Sequence, residues 1–165
     1  RQMCIRDRMQ SALGRIQLRH MPDWHAARNA NAQALTQALM PFAGSHGPVQ
    51  LPLCETKDGS RHAWYKFYAY VRPENLKNDW DRDRIAAEIS AAGVPCMQGS
   101  CSEIYREKAF DDTGLRPLTR LPTAQQMGET SLMFLVHPTL EAEHRNRSAA
   151  VIAKVLTLAG VQAAV

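Results

Sequence analysis

The chain has 165 residues, 45% hydrophobic and 22% charged, which is ordinary globular composition with enough length for one real core. Its 20 Lys and Arg against 16 Asp and Glu give +4, but residues 1–8 hold three of the basic residues and one acidic one, so the remainder carries 17 against 15, or +2. Those basic residues are scattered among acidic ones, which leaves no face for nucleic acid or an anionic membrane, and no apolar run approaches membrane-spanning length.

The opening "RQMCIRDR" shows no apolar face at the helical or the strand period, and it lacks the hydrophobic segment of a signal peptide. It resembles a translated sequencing-adapter scar and is set outside the fold, with a disordered leader as the other reading. From Met9 the pattern is helical: Met9, Leu13 and Ile16, then Trp24, Ala27, Leu35 and Leu39, recur at three- and four-residue steps. Pro22 lies between the two sets and predicts one kinked helix or two in series, ended by "PFAGSHGPVQLP".

"AWYKFYAYV", residues 63–71, alternates as a strand, with Tyr65, Phe67, Ala69 and Val71 on one face and Trp64, Lys66, Tyr68 and Tyr70 on the other. Asp81 is placed to cap a helix that buries Ile85, Ala86 and Ile89 and stops at Gly93. "VPCM" restarts extended structure, Ser102 is a candidate cap for a short helix over "EIYREKAF", and "DDTGLRPLTRLP" reads as a long loop. "SLMFLV", residues 131–136, lies between Gly128 and Pro138 and suits a strand buried on both faces. A last helix from about Glu141 to Ala159 carries Val151, Ile152, Val155 and Leu156 on one face, with Gly160 after it. This order predicts an α+β domain, a small sheet covered by helices, preceded by a long helix that has no sheet of its own.

With Cys4 set aside, Cys54, Cys96 and Cys101 are a sparse, odd set that points to a reducing, cytoplasmic setting rather than a disulfide framework. His20 and His25 are five residues apart and cannot share a metal on a helix, and Cys96 with Cys101 has no second pair; no metal is expected. Cys101 has no base placed beside it and reads as a small buried or pocket-lining residue. His137 follows the apolar strand, where either a structural or a substrate-facing role fits. "QGSCSEIY", residues 98–105, gathers hydroxyls and a glycine between an extended segment and a helix start; it suits an anionic or sugar-like ligand, or a plain helix cap. Neither a nucleophile elbow nor a phosphate-binding glycine loop is present in the sequence.

Four blocks, "MQSALGRIQLRHMPDWHAARNANAQAL", "RHAWYKFYAYV", "AAGVPCMQGSCSEIYREKAF" and "RLPTAQQMGETSLMFLVHPTL", together resemble, in order, the C-terminal part of the DegT/DnrJ/StrS sugar aminotransferases. The resemblance runs from Met9 to about Leu158. It implies the small C-terminal domain of a fold type I, aspartate aminotransferase-like enzyme: residues 1–8 a leader or artefact, 9–45 a helix linking to a large domain upstream, and 46–165 the small domain. The reaction it implies moves an amino group, usually from glutamate, to a keto group of a nucleotide-linked sugar, with pyridoxal 5'-phosphate as cofactor held mainly by the large domain, in a cytoplasmic homodimer. The Schiff-base lysine would lie upstream, since Lys57, Lys66, Lys77, Lys108 and Lys154 match no such motif; no catalytic residue is expected here, and the chain alone should be inactive. Many members carry a His-Tyr pair, a Pro and another His where this chain has "CMQGSCS". Gln98, Ser100, Ser102, Glu103 and Tyr105 are therefore substrate-binding candidates by position, with His137. The rivals are a stand-alone small-molecule-binding or interaction domain, which must bury the apolar side of its opening helix within this chain, and an aminotransferase of the same fold acting on amino acids.

Overall fold

The computed structural model describes residues 2–52 and 59–161, with side chains from Asp7 onward; Arg1, Cys54 and Lys57, and the side chain of Cys4, lie outside the described residues. The long opening helix is α1, Gln2–Leu39, followed by a 3-10 turn at Met40–Phe42. It is one helix continuous through Pro22, not two in series, and it begins at Gln2 rather than Met9. Proline deprives the Leu18 carbonyl of its partner, a loss of about 3 kcal/mol in a helix interior. Here both residues are exposed, so water can take that partner's place.

The strands are β1 (Val49–Gln50), β2 (Phe67–Val71), β3 (Cys96–Met97) and β4 (Ser131–Phe134), in the order β1-β2-β4-β3 with every neighbouring pair antiparallel. The register sorts the sheet into two faces. Val49 pairs with Val71, Ala69 with Leu132, and Phe134 with both Phe67 and Cys96, and all of these are buried in the core. The opposite face carries Tyr68 beside Met133 and Tyr70 beside Ser131.

Helix α2, Arg82–Ala91, starts where Asp81 Oδ1 accepts the Arg84 amide at 2.7 Å, and it buries Ile85, Ala86 and Ile89 as its spacing predicts. Gly93, at φ +83°, supplies the left-handed turn that ends it. α4, Ala142–Ala159, packs Ile152, Val155, Leu156 and Ala159 into the same core and lies against both α1 and α2. No described helix is long and apolar enough to cross a membrane.

Four expectations need correction. β2 begins at Phe67 rather than residue 63, because Trp64 takes a left-handed φ of +47° and Arg28 Nη1 donates to the Trp64 and Tyr65 carbonyls, each at 3.1 Å. The alternation therefore breaks and Tyr65 is 76% exposed instead of facing the core. Ser102 caps no helix: "EIYREKAF" forms two 3-10 turns, Ile104–Arg106 and Lys108–Phe110, with no side-chain cap. A further helix, α3 (Pro122–Thr130), occupies a stretch in which Gly128 had been read as a boundary. Gly128 sits inside that helix, where a methyl group would lie 2.5 Å from Ser102 Oγ, so the Ser102 hydroxyl packs directly over it.

The part of α1 ahead of Trp24 leaves the body of the domain. Met9, Leu13, Ile16, Leu18 and Met21 are between half and two-thirds exposed, whereas Asn31, Ala32, Leu35 and Leu39 are buried.

Candidate functional site

Tyr68 and Tyr70 alternate onto the open face of β2, and the Gly99–Ser102 turn runs across them. Gly99 has φ +94°, and a methyl group there would meet Ser131 Oγ at 2.9 Å and the Tyr68 ring at 3.0 Å, so only glycine allows this approach. The turn is fixed on both sides. Ser131 Oγ donates to the Gln98 carbonyl, and Tyr68 Oη and Ser100 Oγ are 2.8 Å apart, with either able to donate. These groups, with Ser102, Cys101 and Met127 of α3, line a hollow of about 200 Å³. Sites that enclose a small molecule run to roughly 300–1,000 Å³, so this hollow by itself is too small to enclose one.

The six candidate residues do not all meet there. Ser100 and Ser102 line the hollow. Gln98 lies beside it, its Nε2 donating to Asp83 Oδ1 at 2.9 Å. Glu103 and Tyr105 turn away into a loop brace: Tyr105 Oη donates to Glu103 Oε1 at 2.7 Å and accepts the Leu121 amide at 3.0 Å. Arg120 closes on both Glu103 oxygens, with Nε at 2.9 Å from Oε1. Arg116 Nε and Nη2 donate to the carbonyls of Tyr105 at 3.0 Å and Arg106 at 2.9 Å. His137 lies six residues beyond Ser131, about 20 Å of extended chain away. Its Nδ1 meets Thr139 Oγ1 at 2.8 Å, and its carbonyl accepts from Asn31 Nδ2 at 2.8 Å.

Charge in the loop brace is settled by these bonds. The hydrogen bonds from Arg120 first, then from Tyr105, hold the Glu103 carboxyl down at about 2, against an ordinary 4.5. A carboxyl lowered in this way braces the loop fully above its ordinary range, and the contribution fades as pH falls toward 2. The Leu121 amide chemical shift is therefore expected to hold steady from pH 7 to about 4 and to move only as pH falls below about 3, toward the lowered value. Glu103→Gln should remove that acid step; a wild-type midpoint at the ordinary carboxylate value would refute the brace.

Cys101 is exposed at the rim of the hollow rather than buried, and its Sγ lies 3.3 Å from Glu107 Oε1, which pushes the thiol up and keeps it protonated. Burial pushes Cys96 up to about 12. Among the described residues no three His, Cys, Asp or Glu side chains gather as a metal site would require. His20 stacks on Trp24 at 5.6 Å, and His25 Nε2 lies 3.1 Å from the His62 carbonyl.

Tyr68 and Tyr70 were legible as the aromatic, partly polar side of a strand, yet nothing in the sequence tied that side to "QGSCS". Ser131 and Met127 carried no signal, because the wall they complete depends on α3 and on the strand order.

The model of the DegT/DnrJ/EryC1/StrS aminotransferase family matches residues 6–155. The erythromycin biosynthesis sensory transduction protein EryC1 of Saccharopolyspora erythraea is 30% identical over 137 residues, 83% of this chain and 33% of that protein. The aminotransferase from Psychrobacter cryohalolentis is 51% identical, with a TM-score of 0.86 over 91% of this chain and 38% of that one. Spr1654 from Streptococcus pneumoniae, solved in a PLP-form, shares the fold at 20% identity with a TM-score of 0.69 over 88% of this chain and 34% of its own. The chain spans about a third of the length of these relatives.

Proposed function

This chain belongs to the DegT/DnrJ/EryC1/StrS aminotransferase family, and on that premise we propose that it forms the small C-terminal domain of a pyridoxal-phosphate-dependent enzyme. That enzyme transfers an amino group, from glutamate, to a keto group on a nucleotide-linked sugar in the cytoplasm, and it works as a homodimer. The observation that carries the reading is the family match over residues 6–155, joined to 51% identity with an aminotransferase of which this chain covers 38%. In this reading α1 links to a large domain, and residues 1–8 stand as a leader or sequencing artefact. The hollow beside Ser100 and Ser102 forms one wall of the substrate cleft, with Gln98 at its edge. His137, Glu103 and Tyr105 stand farther from it and support the wall's surroundings.

Pyridoxal phosphate, when bound, supplies the electron sink that lets an amino group change carbon. The lysine that carries it must lose its proton near neutral pH, which takes desolvation or a neighbouring cation. The described lysines do not fit that role. Lys66 lies over the Tyr65 ring at 5.6 Å, the exposed Lys77 donates to the Leu158 carbonyl at 2.6 Å, and Lys108 and Lys154 are exposed. We therefore assign the attachment lysine to the rest of a longer protein, and this chain alone as inactive. The uncovered apolar stripe of α1 supports the same division, since a self-sufficient domain would need that stripe buried within it.

Two experiments test the reading. Borohydride reduction of the 165-residue chain with pyridoxal phosphate is expected to leave no stoichiometric adduct; a full adduct at one lysine overturns the assignment. A single long sequencing read across the source locus is expected to continue the frame upstream of Met9 into lysine-bearing sequence. A start codon directly before "RQMCIRDR" would overturn the longer protein.

A further inference from the structure

The hollow between β2 and the Gly99–Ser102 turn offers hydroxyls and aromatic surface but no charge. None of its lining groups is ionic. Arg82, bonded to the backbone of lining residue Ser131, does not line the hollow and is already engaged: its Nη1 donates to the carbonyls of Gly128 at 3.0 Å and Ser131 at 3.2 Å, and its Nε pairs with Asp83 at 2.7 Å. A phosphate brought here would meet no cation among the lining residues.

The polar capacity is equally specific. Ser131 Oγ is used on the Gln98 carbonyl. Tyr68 and Ser100 use one bond on each other, and that bond can run in either direction. Whichever way it runs, the pair can present one donor and one acceptor outward, which matches a hydroxyl group in either role and also the keto oxygen that an amino group would replace. Gly99 holds the turn against the tyrosine ring, so the pair is set before any ligand arrives. Tyr68 and Tyr70, two positions apart on one strand face, add apolar surface for the C–H side of a ring.

We infer that Tyr68 and Ser100 are the recognition pair for a neutral, polyhydroxylated ring, and that this wall takes the sugar part of the substrate while any phosphate is held elsewhere. The inference rests on the hollow being the substrate-facing wall proposed above. Tyr68 acts as a specificity-determining residue.

The test uses the 165-residue chain and amide NMR, with methyl β-D-glucopyranoside and inorganic diphosphate as separate probes. The glycoside is expected to shift the Gly99–Ser102 and Ser131 amides in the millimolar range, and diphosphate to leave them in place. Tyr68→Phe removes one hydroxyl without emptying the wall and should weaken glycoside binding about 3- to 10-fold, the usual worth of one hydrogen bond. Ser100→Ala gives an independent check at an exposed position, and the dispersion of each spectrum shows whether the variant is folded. Shifts with diphosphate instead, no response to the glycoside, or glycoside shifts that both variants leave unchanged would overturn the inference. None of these outcomes bears on the aminotransferase reading, which stands or falls on the lysine adduct and the upstream sequence.

Discussion

Replacing Phe67 with alanine is expected to destabilise the chain by about 3–5 kcal/mol, the cost of emptying a large aromatic site in a well-packed core. Phe67 is 1% exposed, pairs with Phe134 across the sheet and stacks on Trp64 at 5.6 Å. It thus touches the strand pairing, the core and the segment that Arg28 clasps. With a urea slope of roughly 2 kcal/mol/M for a domain of this size, the unfolding midpoint should fall by about 1.5–2.5 M. A chain near the low end of the usual stability of about 5–15 kcal/mol would lose its cooperative transition altogether. Phe67→Leu keeps most of the volume and should cost less than about 2 kcal/mol. Equal losses for the two variants would mean that the site depends on the aromatic ring itself and not on filled volume.

Asn31→Ala should produce the second large loss, about 2–3 kcal/mol, through unpaired polar groups rather than an empty volume. The Asn31 side chain is buried where α1, α4 and the chain after β4 meet. Its Nδ2 donates to the His137 carbonyl at 2.8 Å and the Val136 carbonyl at 3.4 Å, and its Oδ1 accepts from Arg145 at 3.3 Å. Alanine leaves two carbonyls and a guanidinium without that partner in a place water reaches poorly. Hydrogen exchange should show the seam between α1 and α4 loosening before the β2–β4 pairing does. Uniform loss of protection across the sheet would show that Asn31 acts on the whole fold and not on this seam.

Elements whose signals are local were legible in the sequence. Asp81, the triplet Ile85, Ala86 and Ile89, and Gly93 specify α2 completely within one window, whereas the apolar run over residues 131–136 is a buried strand only through Phe134, after which Leu135 turns out to 41% exposure. α4 also follows its own spacing. What escaped was set from a distance. Trp64 leaves the strand because Arg28, 36 residues earlier, holds its carbonyl. Ser102 serves as close packing for Gly128 rather than as a cap. α3 began at a proline that reads equally well as the end of a loop. For the candidate site, "QGSCS" was found, but its tyrosine partner comes from β2, 32 residues away from Ser100. The bonds that engage Glu103 and Tyr105 come from Arg120 and the Leu121 amide, which lie in a stretch that carries no sequence signal for such a brace.

The exposed half of α1 also carries its own chemical record. Met9 and Met21 present thioethers to solvent at 67% and 49% exposure, and peroxide turns such groups into polar sulfoxides while sparing covered ones. A surface that closes over this stripe would protect both sulfurs, and oxidation beforehand would wet the contact it needs. The redox history of two methionines would then help decide whether this helix can still join a larger body.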